Sequence, residues 1–244
     1  MIKNFLKAAY RKQQFKPGWL GIIVNPFYIA RRGLAREIEL ISKDLGGRIL
    51  DVGCGSKPYR SFFSTSDYVG LDIESDRVRN QRFADYTYDG ETFPFENNLF
   101  DVVICNQVLE HVFNPDQFLS EIFRVLKPDG KILLTVPFAW DEHEQPIDYA
   151  RYSSFGMRAL LEKNKFKILI QKKIGADATV LFQLVNGYFY KISENWPALF
   201  KYIFTFSVMA SVNILAITLG SLLPNNEDFY LDNIVLAEKA HEFL

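Results

Sequence analysis

Apolar residues recur along this chain with two different periods. Ile2, Phe5, Leu6, Ala9 and Tyr10 fall on one helical face, and Lys3, Lys7, Arg11 and Lys12 on the other. That pattern predicts an amphipathic helix over residues 2–12, ended by Pro17-Gly18. Asn25-Pro26 is a helix start, with Asn as cap and Pro in the first turn. Ala30, Leu34, Ile38, Ile41 and Leu45 follow at helical spacing up to Gly46-Gly47. Short strand-like runs then alternate with helical ones. Strands are expected at 48–52, 68–72, within 82–89, and at 100–105, 131–137, 166–174 and 229–238. The run at 100–105 is apolar throughout, as suits a strand buried on both faces. Asn114-Pro115 opens a helix with Gln117 placed for a capping box and Phe118, Leu119, Ile122, Phe123 and Leu126 as its buried stripe. Ser153 or Ser154 caps another that runs to about 163. Alternating strands and helices predict an α/β fold with a mostly parallel sheet.

One segment breaks this alternation. Residues 202–223 are 22 in number, carry no charge and include 15 apolar side chains. That length is enough to cross a bilayer. However, a single crossing would part the strand at 229–238 from the rest of its sheet. A helix or hairpin docked on the fold, or lying in a membrane interface, is therefore expected rather than a span.

Charge adds a second asymmetry. The net charge is −1, yet residues 1–36 hold eight cations and no acid, which leaves −9 for the remainder. A basic leading segment on an acidic body suits an anionic partner, or a solvated helix face. The two cysteines, Cys54 and Cys105, make no disulfide framework and read as small buried thiols. The basic N-terminus lacks the continuous apolar core of a secretory signal, so a reducing, cytoplasmic setting is expected.

The richest stretch is Ile49-Leu-Asp-Val-Gly-Cys-Gly-Ser-Lys-Pro-Tyr59. An apolar strand ends in an acid and runs into a glycine turn, which lets a ligand approach the backbone. Pro58 stands where a dinucleotide site would place a third glycine. Further on come Tyr68-Val-Gly-Leu-Asp72, Phe93-Pro-Phe95, Phe100-Asp-Val-Val-Ile-Cys-Asn106, Val108-Leu-Glu-His-Val112 and Arg124-Val-Leu-Lys-Pro-Asp-Gly130. In this order the motifs, spanning about 48–175, resemble the class I S-adenosylmethionine-dependent methyltransferases. Within that family, Ser56-Lys-Pro-Tyr59, Asn25-Pro-Phe-Tyr28 and the block His143…Pro146…Asp148-Tyr-Ala-Arg-Tyr152 resemble bacterial members found with surface-glycan biosynthesis.

The resemblance implies a Rossmann-like, seven-stranded sheet with helices on both faces, plus an apolar helical insertion before the last strand. The expected organisation is an N-terminal helical segment (1–46), a cofactor-binding core (47–177), the insertion (178–227), and a final strand and tail (228–244). It also implies S-adenosylmethionine as cofactor. Gly53 and Gly55 would admit its methionyl part and ribose, with Asp51 near its ammonium. Asp72, 21 residues after Asp51, would take both ribose hydroxyls. Asp85 and Asp89 compete for the adenine amino group. Asp89, five residues before Pro94, fits the family's spacing better. Asn106 would lie near the methyl group, where Asn106-Gln-Val-Leu replaces the Asn-Pro-Pro-Tyr of members that methylate nucleic-acid amines.

For a hydroxyl acceptor, His143 is the candidate base, on a loop crowded with functional side chains, and Arg151 and Tyr152 are candidate substrate contacts. Arg151 is equally able to pair with Asp148. His111 falls near the cofactor, and His241 near the terminus has no expected role. No His/Cys cluster shows metal-ligand spacing, so no metal is expected. The implied function is O-methylation of a sugar in a surface glycan or its lipid-linked precursor. The partners would be a small-molecule or glycan acceptor, a peripheral membrane contact and no nucleic acid, at the inner face of the membrane. The rivals are a quinone-like or small lipid acceptor, and a non-catalytic cofactor-binding scaffold.

Overall fold

The computed structural model describes residues 2–75, 78, 83–220 and 222–240, and for residues 2–8 the backbone alone. Residue 82, Ser221 and His241, which belong to expectations above, lie outside these. The chain forms two compact units. One holds 1–37, 139–141 and 173–232; the other holds 38–138, 142–172 and 233–244. The N-terminal segment and the apolar insertion therefore fall together in the first unit.

The second unit is built on a seven-stranded sheet. Its strands are β1 (Ile49–Val52), β2 (Tyr68–Ile73), β3 (Tyr86–Tyr88), β4 (Phe100–Asn106), β5 (Leu126–Pro137), β6 (Phe166–Ile174) and β7 (Asp232–Lys239). Their order is β3-β2-β1-β4-β5-β7-β6. The first five are parallel: Asp51 lies opposite Gly70 on β2 and Ile104 on β4. The bonds from Leu231 N to Ile174 O and from Ala240 N to Lys165 O together show β7 running antiparallel to β6. The strand order reverses between β1 and β4, and a crevice for ligands opens at such a point.

The sheet forms where its strands are apolar on both faces. Ile49, Leu50, Val52, Phe100, Val103 and Cys105 have no exposed surface. The helix Pro115–Val125 packs Phe118, Leu119, Ile122 and Val125 into the same core. Asn114 Oδ1 caps it by accepting from Gln117 N, 3.3 Å away. Its last expected core residue, Leu126, instead opens β5. The register then slips so that Phe100 faces Leu126 but Val102 faces Lys131. Lys127-Pro-Asp-Gly130 makes that bulge, with Asp129 at φ 59. Strand five thus starts five residues before the expected 131. The helix Ser154–Lys163 begins where foreseen, with Ser153 Oγ accepting from Gly156 N.

The first unit is helical. In chain order its helices are α1 (Ile2–Phe15), α2 (Gly21–Val24), α3 (Tyr28–Ser42, whose last turn belongs to the other unit), and, after the Pro115–Val125 and Ser154–Lys163 helices (α4 and α5), α6 (Thr179–Ile192) and α7 (Ala198–Gly220). Asn25 organises the entry to α3. Its Oδ1 accepts from Phe27 N at 2.8 Å, and its Nδ2 donates to the carbonyl of Gln13 at the end of α1. The helix starts at Tyr28, slightly later than the sequence suggests.

Candidate cofactor and acceptor site

β1 delivers Asp51 to the crevice, and the chain then turns sharply. Gly53 has φ 67, and a Cβ there would lie 2.3 Å from Val108 Cγ2, so both backbone and packing require glycine. Gly55 has φ 46 and nothing within 4 Å of the place a Cβ would occupy, which leaves room above the turn. Asp72, at the end of β2, holds this loop: its Oδ2 accepts from Gly55 N at 3.0 Å and its Oδ1 from Ile73 N at 2.9 Å. Each carboxylate oxygen keeps a further acceptor position.

Asp51 is buried beside it, with Oδ2 accepting from the Tyr68 hydroxyl at 2.7 Å. Burial pushes its carboxyl up to about 7, against the opposing effects of the Tyr68 hydroxyl and Lys57. A cation in the crevice would supply the charge this carboxylate lacks. Burial also raises the Cys54 thiol to about 12, and Cys105 is raised well above its ordinary value. Neither thiol is poised as a nucleophile.

β3 places Asp89 just past its C-terminal end, on the crevice side of the sheet. Asp89 is exposed, and its Oδ1 accepts from Glu91 N and Thr92 N, leaving Oδ2 to accept from a ligand. Asp85 lies at the opposite end of the strand. It accepts from Gly70 N at 2.7 Å and from Lys57 Nζ at 2.5 Å. Asn106, closing β4, accepts from Thr135 Oγ1 at 2.7 Å and keeps its amide N–H groups for other partners.

The loop after β5 draws together residues from two parts of the chain. His143 Nδ1 lies 3.3 Å from Asp148 Oδ2, and the same oxygen accepts from His143 N at 2.8 Å. Arg151 grips Asp148 with two parallel bonds of 2.5 and 2.7 Å and holds the Asp148 carboxyl down at about 2. Arg151 thus makes the Asp148 pair, one of its two expected uses, and its Nη2 also lies 3.5 Å from His143 Nδ1. The Tyr152 side chain packs on the core, while its carbonyl accepts from Asn233.

The His143 ring stands edge-on to His111, with ring centroids 4.8 Å apart. His111 Nδ1 lies 2.7 Å from Ile147 O, and Glu110 is fully buried next to it. Ligand atoms of Glu110, His111 and His143 lie within 4.8 Å of one another, close enough to take one divalent cation. Spacing along the chain does not show this group, because 32 residues separate His111 from His143 and only the fold joins them. Sequence reasoning also missed Tyr68 as the partner of Asp51, and Lys57 as the strap to Asp85.

Residues 50–134 match the family described as a methyltransferase domain. A fatty-acid O-methyltransferase of Mycolicibacterium smegmatis is 35% identical over 102 residues, 37% of each chain. A ubiquinone/menaquinone biosynthesis C-methyltransferase of Burkholderia mallei is 24% identical over 176 residues, 58% of this chain and 72% of that one. The chain spans 37–54% of the length of the first curated relatives it matches. Among solved structures, a phosphoethanolamine N-methyltransferase of Haemonchus contortus with S-adenosylhomocysteine bound superposes with TM-score 0.56 at 20% identity. It covers 90% of this chain and 56% of that one. The fold is that of the Rossmann-like methyltransferases, and the residues that match the methyltransferase domain family, 50–134, lie in its sheet from β1 to β5.

Proposed function

We propose that this protein transfers a methyl group from S-adenosylmethionine to a hydroxyl of a sugar in a surface glycan or its lipid-linked precursor. The crevice suits that cofactor. Asp72 offers two acceptor positions for ribose hydroxyls, Gly55 leaves open backbone above the turn, and Asp51 is a buried carboxyl that an ammonium would ionise. The exposed Asp89 carboxylate just past β3 supports a contact to the adenine amino group. When bound, the cofactor supplies an electrophilic methyl carbon and leaves as a neutral sulfide.

The observation that carries the hydroxyl reading is the His143–Asp148 pair. An Nδ1–H directed at Asp148 leaves Nε2 to take the proton that the acceptor oxygen loses as it gains the methyl group. Arg151 keeps Asp148 ionised, so Asp148 orients the imidazole and does not compete for its proton. The imidazole then contributes alignment and proton removal, typically about 10²- to 10⁴-fold.

A second reading is a quinone-like or small lipid acceptor. The names of the Mycolicibacterium and Burkholderia relatives favour it. The test is to incubate the protein with labelled cofactor and two acceptor extracts, one of lipid-linked glycans and one of quinones and free lipids. The proposal expects label in the first, at a sugar oxygen by mass analysis. Label only in the second selects the rival, and formation of no S-adenosylhomocysteine with either would leave a cofactor-binding scaffold.

A further inference from the structure

Two helices of the helical unit, α6 and α7, are turned inside out. Along α7, the buried positions are Thr205, Met209, Ala210, Asn213, Ala216 and Gly220, which are small or polar apart from Met209. The exposed positions carry Leu199, Phe200, Ile203, Phe206, Ile214 and Leu215, with Leu199 67% exposed. α6 repeats the pattern beyond its first turn, where Val180 is buried: Gln183, Asn186 and Gly187 are buried, whereas Leu181, Val185, Tyr188 and Ile192 are exposed.

The buried amides hold the unit together. Asn213 Nδ2 donates to Ile22 O and Asn25 O, Asn186 Nδ2 donates to Asn213 Oδ1 and Met209 O, and Gln183 joins Pro26 O to Ala30 N. At Gly220 a Cβ would stand 2.4 Å from Thr179 Cγ2, so the two helices close on a small residue. A helix in water buries its large apolar side chains and exposes its amides. Small residues and amides at the helix contacts, with large apolar groups outside, are the arrangement used in an apolar medium.

What surrounds that surface names the medium. Tyr10, next to the exposed Arg11 and Lys12, has its phenol raised by burial and by the neighbouring Tyr202 and Tyr190 rings. Tyr10 thus lies near Tyr202 in the first turns of α7, where Lys201 lies over the Tyr190 ring. Trp19, 85% exposed, follows within seven residues of Lys12. Cations, Trp and Tyr at the margin of an apolar surface match the headgroup layer of an anionic bilayer.

We propose that the helical unit seats its apolar face in one leaflet of an anionic phospholipid bilayer, with α6 and α7 lying along the interface. α6, of 14 residues, reaches only about 21 Å, short of the ~30 Å hydrocarbon core. The connection between α6 and α7 carries Glu194, which belongs in water. The excursion also leaves the sheet after β6 and rejoins it at β7, so both of its ends lie on one side of the membrane. The inference goes beyond methyl transfer and does not depend on it.

Flotation of the full chain with vesicles tests it. Strong binding is expected to mixed phosphatidylcholine–phosphatidylglycerol vesicles, falling with salt and weak on phosphatidylcholine alone. The exposed double variant Arg11→Gln, Lys12→Gln should bind about 30-fold more weakly, at about 1 kcal/mol per cation near an anionic surface. Phe200→Ser with Ile203→Ser, also on the surface, should reduce binding to both vesicle types while leaving circular dichroism unchanged. The proposal is overturned by folded protein that ignores anionic vesicles at low salt, by binding that neither pair of substitutions alters, or by a detergent-free dimer that covers this face.

Discussion

At the scale of single residues, the account turns on charge held in unusual places. Asp51 has a pKa near 7 in the folded chain, against about 3.8 in an unfolded one. Between about pH 4 and 7 the folded form thus binds more protons than the unfolded form. Its contribution therefore makes the protein less stable as pH rises through that window, and no further above it. If Asp51 receives the cofactor's ammonium, binding requires the carboxylate. At pH 6 about one proton should then be released per cofactor bound, and affinity should climb toward pH 7 and level off. Calorimetry in buffers of different ionisation enthalpy measures the release, and Asp51→Asn should abolish it.

His143→Ala should lower turnover about 10²-fold or more with cofactor affinity unchanged. A chelator should leave the wild-type rate intact. Loss of activity in EDTA, restored by a divalent cation, would instead make the Glu110–His111–His143 group a working metal site. These roles were only partly legible in the sequence. Asp72 and Gly53 announce themselves by following strands at a fixed spacing. The orientation of His143 rests on Asp148 and Arg151, and its contact with His111 needs the fold.

At the scale of elements, most of the sheet was legible because buried parallel strands read as unbroken apolar runs. β1, β2 and β4 fall within about a residue of expectation. β5 was misjudged at its start because Lys127-Pro-Asp-Gly130 reads as a plain turn, whereas it is a bulge inside a longer strand. The apolar insertion was visible by length, but its inverted burial was not. Periodicity shows that an apolar stripe exists and not which medium it meets. The amides at its centre supply a stability test. Asn213→Ala removes partners from Asn186, from the buried Asn25 carbonyl and from the half-buried Ile22 carbonyl, and should cost about 1–3 kcal/mol for each buried group left unsatisfied. Chemical denaturation in a mild detergent reads this directly, and a neutral result would mean that the network is dispensable.

At the scale of the whole molecule, a methyltransferase sheet and an inverted helical unit share one chain. The central claim remains the cofactor crevice at the point where strand order reverses between β1 and β4. Calorimetric titration with S-adenosylmethionine at pH 8, on wild type and Asp72→Asn, tests it most directly. The account predicts one molecule bound per chain, with binding weakened by roughly 2–3 kcal/mol in the variant, the worth of hydrogen bonds to a charged group. A folded wild-type protein that binds no S-adenosylmethionine, or a variant that binds it equally well, would contradict it.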